Sequence, residues 1–190
     1  MICSINLLFL LLGSILTVNN TPDILSSFHK EELLTALGLE QVTSLKPLII
    51  NYKTNEVKTG KNYSLASTQE TPLIKLEHLL EDGQKYVLIM IDPDAPSKIN
   101  PKFRSYLHWV ITDLDLEKMK SKNEIIKYIG PAPPKGSGPH RYVFLLYEQP
   151  TSIQIKNFDQ IIRSNFDVGK FTHDNNLHLV AGNYYIAENK

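Results

Sequence analysis

Three apolar runs stand out along the chain and predict the central strands of a sheet. They cover residues 85–91, 106–112 and 141–149. The first run is apolar almost without interruption, which indicates a strand buried on both faces. Shorter segments bounded by proline, glycine or asparagine predict further strands, at residues 45–52, 63–66, 71–77 and 179–188.

Helical patterns are confined to the segments between and outside these strands. Residues 21–39 carry apolar side chains at helical spacing between Pro22 and Gly38, which predicts one helix or two short helical turns. Residues 115–129, between the second and third strands, predict a helical connection followed by an extended segment. Residues 158–171 predict a helix with a break near Gly169. Strands outnumber helices, so the pattern predicts a mainly β domain with peripheral helices.

An apolar stretch without charge precedes the first charged residue, Asp23. Its core, residues 5–18, is shorter than the roughly 20 apolar residues that a transmembrane helix needs, and it is typical of a signal peptide. We therefore expect a signal peptide over residues 1–19, a single domain over residues 20–190 and a secreted protein. Because the stretch begins without lysine or arginine and lacks a good cleavage site, an uncleaved anchor is the alternative.

The only cysteine, Cys3, lies inside this predicted signal peptide. The mature domain would then have no thiol, which excludes disulfides, cysteine metal sites and cysteine nucleophiles. Asn62, in the triplet NYS, is a possible glycosylation acceptor if the chain is secreted, and Asn19 in NNT is a weaker one.

The charge balance limits the classes of partner. The chain has 190 residues, 42% of them hydrophobic, with 20 basic residues against 20 acidic ones. This composition is that of one globular domain, and no global field would attract nucleic acid or an anionic membrane. Any binding of anions must therefore be local.

Two predicted strands carry histidines near their starts. Alternation in an extended strand puts His140 and Tyr142 on one face of the third run. His108 shares a face with Tyr106 and Val110 by the same rule, opposite Trp109. If both strands belong to one sheet, the two histidines can open onto the same pocket.

The loop that leads into the third run, GPAPPKGSGPHRY, combines four prolines with three glycines. Proline fixes φ and glycine permits conformations closed to other residues, so such a loop can hold the amides of Gly130, Ala132 and Lys135 in an anion-binding concavity. A tight connection whose glycines only serve turns explains the same residues equally well.

The segment DPDAP, residues 92–96, follows the first buried run abruptly. Asp92 either caps a turn or supplies a pocket carboxylate that orients a histidine. A cis bond before Pro93 or Pro96 is possible in such a segment.

Four motifs together resemble one family. DPDAPS, PKFRSYLHW, GPAPPKGSGPHRYVFLLYEQ and VAGNYY occur in the order and spacing of the phosphatidylethanolamine-binding proteins, which include the Raf kinase inhibitor and carboxypeptidase Y inhibitor proteins. The resemblance covers residues 22–188. It implies a large antiparallel sheet packed against a smaller sheet, with a small pocket for phosphate-bearing anions at the strand ends.

The resemblance also assigns pocket residues, one position at a time. They are Asp92, Pro96, Phe103, Tyr106, His108, Gly130, Ala132, His140 and Tyr142. Phe103 and Tyr106 fall where the family often has a tyrosine and a tryptophan, and Ala132 stands where many animal members have glycine. The sequence ends soon after NYYIAE, where mammalian members continue with a helix that supplies a further tyrosine, so we expect a more open site.

The functional expectation is a monomeric, non-enzymatic protein that binds a phosphorylated small molecule or a phospholipid headgroup, without a cofactor. The alternative is inhibition of a serine protease or a signalling kinase through protein–protein contact, which the family also shows. An enzyme using His108, His140 and Asp92 as metal ligands is the third reading. The absence of HExxH, GxSxG and P-loop motifs argues against it.

Overall fold

The computed structural model describes residues 23–53, 55–75, 83–115, 123–150 and 162–190. These residues form two β-sheets and three short helices. The strands are β1 Lys46–Pro47, β2 Ile49–Tyr52, β3 Asn55–Glu56, β4 Leu73–Lys75, β5 Lys85–Asp92, β6 Tyr106–Leu114, β7 Asn123–Ile126, β8 His140–Gln149 and β9 His178–Ala187. The helices are α1 Ile24–Lys30, α2 Leu33–Leu37 and α3 Val168–Asp174, and a 3₁₀ turn covers Leu65–Thr68.

The larger sheet has six strands in the order β1, β9, β8, β5, β6, β7, and the smaller one has the order β3, β2, β4. The mainly β fold with two sheets is thereby confirmed. The larger sheet is mixed, however, and not wholly antiparallel as the resemblance implied, because β1 runs parallel to β9. Strands so distant in sequence are not joined by a hairpin, so the chain is free to add β1 in either direction. Pro47 is tolerated there because β1 is an edge strand.

The larger sheet is buried on both faces. Alternate residues of β8 divide between two cores: Val143 and Leu145 pack in one core, while Tyr142 and Phe144 pack in the other. Helices α1 and α2 cover the first core, and the smaller sheet covers the second. The strand β5 is buried from Tyr86 to its end, which confirms the prediction from its apolar run.

The N-terminal helical segment consists of two short helices, as the sequence indicated. The Asp23 side chain accepts hydrogen bonds from the amides of Leu25 and Ser26 and so begins α1. Gly38, with a φ of 67°, ends α2 in the left-handed conformation that glycine adopts without strain.

Two local predictions are wrong. The predicted strand at residues 63–66 overlaps the 3₁₀ turn, because the Ser64 side chain accepts from the amide of Ser67 and favours a turn over a ladder. The helix predicted over residues 158–171 is wrong at residues 162–167, which form bends and turns, because α3 begins only at Val168, where the Asp167 side chain accepts from the amide of Lys170. Gly169 lies in the first turn of α3 and not at a break.

Some predictions fall outside the described residues. The signal peptide over residues 1–19, the helical connection at residues 116–122 and the start of the helix predicted from residue 158 are in this group. Across the described ranges, no helix has the length and apolar character required to cross a membrane.

Candidate functional site

All nine residues that the sequence assigned to a pocket line a single cavity of about 280 Å³. The remaining residues that line it are Ala95, Ile129, Pro133 and Pro134. Ala95 and Ile129 were missed, although each directly precedes a residue that was assigned. A larger groove of about 470 Å³ lies beside α1 and the smaller sheet and contains none of the nine.

The sheet register explains why these residues meet. The strand β5 is flanked by β6 and β8, and both pairs are antiparallel. The end of β5, at Asp92, therefore lies next to the starts of its neighbours, where Tyr106 pairs directly with Asp92. His140 is the first residue of β8 and lies at the same end of these strands.

A β-bulge near the start of β6 sets the position of His108. Its ring lies 5.3 Å from the rings of both Tyr106 and Tyr142. Val110, expected on the same face, packs instead in the opposite core. The extra residue of the bulge breaks the strict alternation on which that expectation was based.

His140 is held on both sides of its ring. Its Nδ1 lies 2.7 Å from Oδ2 of Asp92, and its Nε2 lies 3.0 Å from the hydroxyl oxygen of Ser137. Burial alone would lower the pKa of His140, but its hydrogen bond with Asp92 and the charge of that residue outweigh burial and raise it.

The contact with Ser137 resembles the order of groups in a Ser-His-Asp triad, but the donors run the other way. The Ser137 hydroxyl donates its one hydrogen to the carbonyl of Pro134 at 2.7 Å, so its oxygen accepts from the Nε2–H of His140. A serine in this arrangement is an anchor for the ring and not an activated nucleophile.

His108 has a different environment. Its Nδ1 lies 2.9 Å from the carbonyl oxygen of Ile129, and the residue is only 4% exposed. Burial lowers the pKa of His108, and the nearby positive charge of Arg163 acts in the same direction. Arg163 also donates to the carbonyl oxygens of Leu107 and His108, which supports the bulge.

The pocket loop is braced from two sides. Gln69 donates to the carbonyl of Pro131 at 2.9 Å, and it packs so closely on Gly130 that a Cβ there would lie 2.8 Å from the Gln69 Cα. Near the C-terminus, Asn189 donates to the carbonyl of Pro133 and accepts from the amide of Gly136. Sequence reasoning gave no signal for Gln69 or Asn189, because both lie far from the loop along the chain.

Only two of the three residues whose amides were expected to form an anion-binding concavity line the cavity. Gly130 and Ala132 line the cavity, whereas Lys135 does not. The amides of Gly130 and Ala132 have no hydrogen-bond acceptor among the described residues.

The second acidic residue of DPDAP does not face the cavity. Asp94 is buried and accepts from the backbone amide of Arg141 at 2.9 Å and from its guanidinium at 2.8 and 2.5 Å. This ion pair ties the loop after β5 to the start of β8. The peptide bond between Ala95 and Pro96, in the wall of the pocket, is cis.

The third reading, a metal site, finds no donor set. Within the described ranges, no three histidine, aspartate or glutamate side chains come close enough together to hold a metal ion. The polar groups of the pocket are suited to hydrogen bonding with a small ligand.

Known proteins share both the sequence and the fold. The chain matches the sequence profile of the family described as phosphatidylethanolamine-binding protein over residues 51–185. It is 42% identical to the carboxypeptidase Y inhibitor of Saccharomyces cerevisiae over 136 residues, which are 58% of this chain and 62% of the inhibitor. The alignment thus spans less than two thirds of that relative.

Solved structures show the same fold over most of the chain. The carboxypeptidase Y inhibitor in complex with its cognate proteinase superposes with a TM-score of 0.77, at 32% identity, over 90% of this chain and 98% of the inhibitor chain. A phosphatidylethanolamine-binding protein from Plasmodium vivax gives a TM-score of 0.74 over 90% of this chain and all of that chain (100%), at 24% identity, and supports the fold. The chain belongs to the phosphatidylethanolamine-binding protein family.

Proposed function

We propose that this protein binds and inhibits a proteinase through protein–protein contact. The observation that supports this proposal is the superposition on the proteinase-bound carboxypeptidase Y inhibitor, which extends over 90% of the chain. Family members are mostly inhibitors or binding proteins, and a signalling kinase is the other partner to test.

The direct experiment measures peptide hydrolysis by carboxypeptidase Y in the presence of increasing amounts of the purified protein. We expect a progressive loss of activity and a stable complex on size-exclusion chromatography. Full activity at a large molar excess of the protein, with no complex, would contradict inhibition of this proteinase. Parallel assays with other proteinases then define the specificity.

We propose, second, that the strand-end pocket binds a small anion such as phosphoethanolamine. The support comes from the amides of Gly130 and Ala132, which have no acceptor among the described residues, and from His108 and Tyr142 in the same cavity. Burial raises the pKa of Tyr142, so its hydroxyl remains a donor at neutral pH. Charge-assisted hydrogen bonds contribute about 1.5 to 3 kcal/mol each, so a few of them suffice for moderate affinity.

Calorimetric titration with phosphoethanolamine tests the pocket. The variant Tyr142→Phe removes one hydroxyl without changing the shape of the ring, and we expect it to bind about tenfold more weakly. Tyr147→Phe is the matched control, because the Tyr147 hydroxyl is buried, has no partner among the described residues and lies outside this cavity. Equal affinity of the wild type and both variants would show that the Tyr142 hydroxyl does not bind the ligand.

We propose, third, that the protein is secreted, on the basis of the apolar stretch at residues 5–18. Asn62 is exposed and therefore accessible to glycosylation on that route. N-terminal sequencing and glycosidase treatment of protein from a secreting host test both points. Protein that is retained in the cell with its first residues intact would contradict the proposal.

A further inference from the structure

Exposed apolar side chains cluster at one end of the larger sheet, around the opening of the pocket. Among the described residues, four large apolar side chains are exposed: Leu73 by 48%, Phe103 by 40%, Ile162 by 73% and Ile99 by 98%. Phe103 lines the pocket, and its carbonyl oxygen accepts from the amide of Asn165, so the segment that follows Ile162 runs beside it. Leu73, in β4 of the smaller sheet, lies elsewhere. Single exposed apolar residues are ordinary on a protein surface, but several in one place indicate a binding surface.

Ile99 is at the tip of a loop that starts and ends at the pocket. The loop is closed where the amide of Phe103 donates to the carbonyl of Ala95 at 3.0 Å, and both of these residues line the pocket. Within the loop, the amide of Asn100 donates to the carbonyl of Ser97 at 3.1 Å. These backbone hydrogen bonds hold Ile99 away from the protein. Burying it against a partner would therefore remove nearly a whole aliphatic side chain from water.

The segments around the pocket opening carry only positive charge. Residues 95–105, 127–139 and 162–166 contain six basic residues and no acidic one, although the chain as a whole has 20 of each. The six are Lys98, Lys102, Arg104, Lys127, Lys135 and Arg163, and the four lysines are exposed. Glu31, whose carboxylate lies 3.9 Å from the Lys98 ammonium, and Glu188, next to the Asn189 that braces the pocket loop, offset only part of this charge. A chain with no net charge thus has one end that attracts anionic surfaces.

The contacts of the basic side chains distinguish a membrane from a protein partner. Both arginines are engaged inside the protein. Arg104 donates to the carbonyl of Pro93, and Arg163 donates to the carbonyls of Leu107 and His108, so lysines are left to meet a partner. Lysine is depleted in protein–protein interfaces, where arginine, tyrosine and tryptophan supply most of the binding energy. Lysines next to aliphatic side chains are instead typical of proteins that bind anionic bilayers.

We propose that this end of the protein docks on an anionic membrane surface. Ile99, which stands between Lys98 and Lys102 in the exposed loop, inserts at the boundary between headgroups and acyl chains, while the lysines contact anionic headgroups. The Lys102 ammonium lies 5.1 Å from the centre of the Phe103 ring, so a cation accompanies this ring to the headgroup region. The docking depends neither on a ligand in the pocket nor on a proteinase.

Sedimentation with lipid vesicles tests the partner. The probes are vesicles of phosphatidylcholine alone and vesicles of phosphatidylcholine mixed with phosphatidylglycerol, which adds negative charge without a phosphoethanolamine headgroup. We expect at least about tenfold stronger binding to the anionic vesicles, because each lysine near a charged bilayer adds to the attraction. Salt at about 1 M, which shortens the Debye length to about 3 Å, should release the protein. No binding to the anionic vesicles, or equal binding to both kinds, would overturn the inference.

Matched variants at exposed positions test the apolar contact without disturbing the core. Ile99→Ser should weaken binding to the anionic vesicles about tenfold, because the inserted side chain is lost. Leu73→Ser, at the exposed apolar residue of β4, is the control and should bind as the wild type does. Unchanged binding by Ile99→Ser, or an equal loss in Leu73→Ser, would contradict the docking surface. Thermal unfolding checks that both variants are folded.

A second pair of variants tests the charge. Lys98→Gln combined with Lys102→Gln should weaken binding about tenfold or more. Lys46→Gln is the control, because Lys46 is exposed in β1, which pairs with β9 at Ala181 and Gly182 and not at the end that meets the pocket. A double variant that binds no more weakly than this control would overturn the inference.

Tryptophan fluorescence distinguishes insertion from adsorption. Trp109, the single tryptophan of the chain, is buried, so Ile99→Trp adds one exposed reporter. Its emission should shift to shorter wavelength when anionic vesicles are added, whereas Leu73→Trp should show no shift. Vesicle binding without a shift for Ile99→Trp would contradict the insertion.

The same variants test whether a protein partner occupies this surface instead. Ile99→Ser should inhibit carboxypeptidase Y as well as the wild type does, because the surface around Ile99 binds lipid. Loss of inhibition by Ile99→Ser with unchanged vesicle binding would assign the surface to the proteinase and overturn the inference. A wild type that inhibits no proteinase but binds anionic vesicles would contradict the proposed inhibition and support the membrane surface.

Discussion

The buried ion pair between Asp94 and Arg141 allows a quantitative prediction about stability. Asp94 has no exposed surface, Arg141 is 4% exposed, and three hydrogen bonds of 2.5 to 2.9 Å join them. The same guanidinium also donates to the carbonyl of Glu31, which links β8 to the helical layer. Asp94→Asn retains an acceptor but removes the negative charge, so Arg141 is left charged and uncompensated inside the protein.

Removing one partner of a buried pair costs about 3 to 5 kcal/mol, against a total stability of about 5 to 15 kcal/mol for a typical domain. With a slope of about 2 kcal/mol per molar urea, the midpoint of unfolding should fall by about 1.5 to 2.5 M. The assay is urea unfolding followed by fluorescence of Trp109, the single tryptophan of the chain, which is buried.

The matched control is Asp174→Asn. This substitution breaks the ion pair between Asp174 and Lys170, whose side chains are 49% and 70% exposed respectively. It should leave the midpoint of unfolding nearly unchanged. The double variant Asp94→Asn with Arg141→Met removes the stranded charge and should recover at least about 1 kcal/mol relative to Asp94→Asn alone. A midpoint for Asp94→Asn that matches the control, or a double variant no more stable than the single one, would refute the reasoning.

Two further predictions concern the pocket. Gly130→Ala should lower the free energy of unfolding by about 1 to 3 kcal/mol, because the new Cβ meets the Gln69 backbone. Gly169→Ala is the control: its new Cβ would lie 3.6 Å from the nearest atom, so it should not destabilise the protein. Thermal unfolding compares the two variants. Folding raises the pKa of His140, so its contribution to the free energy of unfolding is fully present below about pH 6.5. That contribution is lost as the pH rises through the pKa of the folded state. The stability difference between wild type and His140→Gln should shrink over that range in urea unfolding; a constant difference would contradict the assignment.

The positions of the main strands were predictable because strand formation depends on local patterns. The apolar runs at residues 85–91, 106–112 and 141–149 correspond to β5, β6 and β8. The turn at residues 63–66 was not predictable in the same way, because a serine hydroxyl decided between a strand and a 3₁₀ turn. Local alternation also failed at His108, where the bulge adds a residue.

Much of the cavity lining was predictable, since the motifs that resemble the family carry nine of the thirteen residues that line it. The residues that hold the pocket segments in place were not predictable from the sequence. Gln69, Arg163 and Asn189 contact the pocket segments from distant parts of the chain, and no local pattern marks them.

By itself the sequence determined the class of fold, the central strands and nine residues of the cavity lining, because periodicity and motifs are properties of neighbouring positions. Only the tertiary structure decided how each polar group is used. The two histidines look equivalent in sequence, yet one is paired with Asp92, 48 positions away, and the other with a backbone carbonyl. The pKa of the first ring is therefore raised and that of the second is lowered, because protonation depends on burial and on partners that only folding brings together.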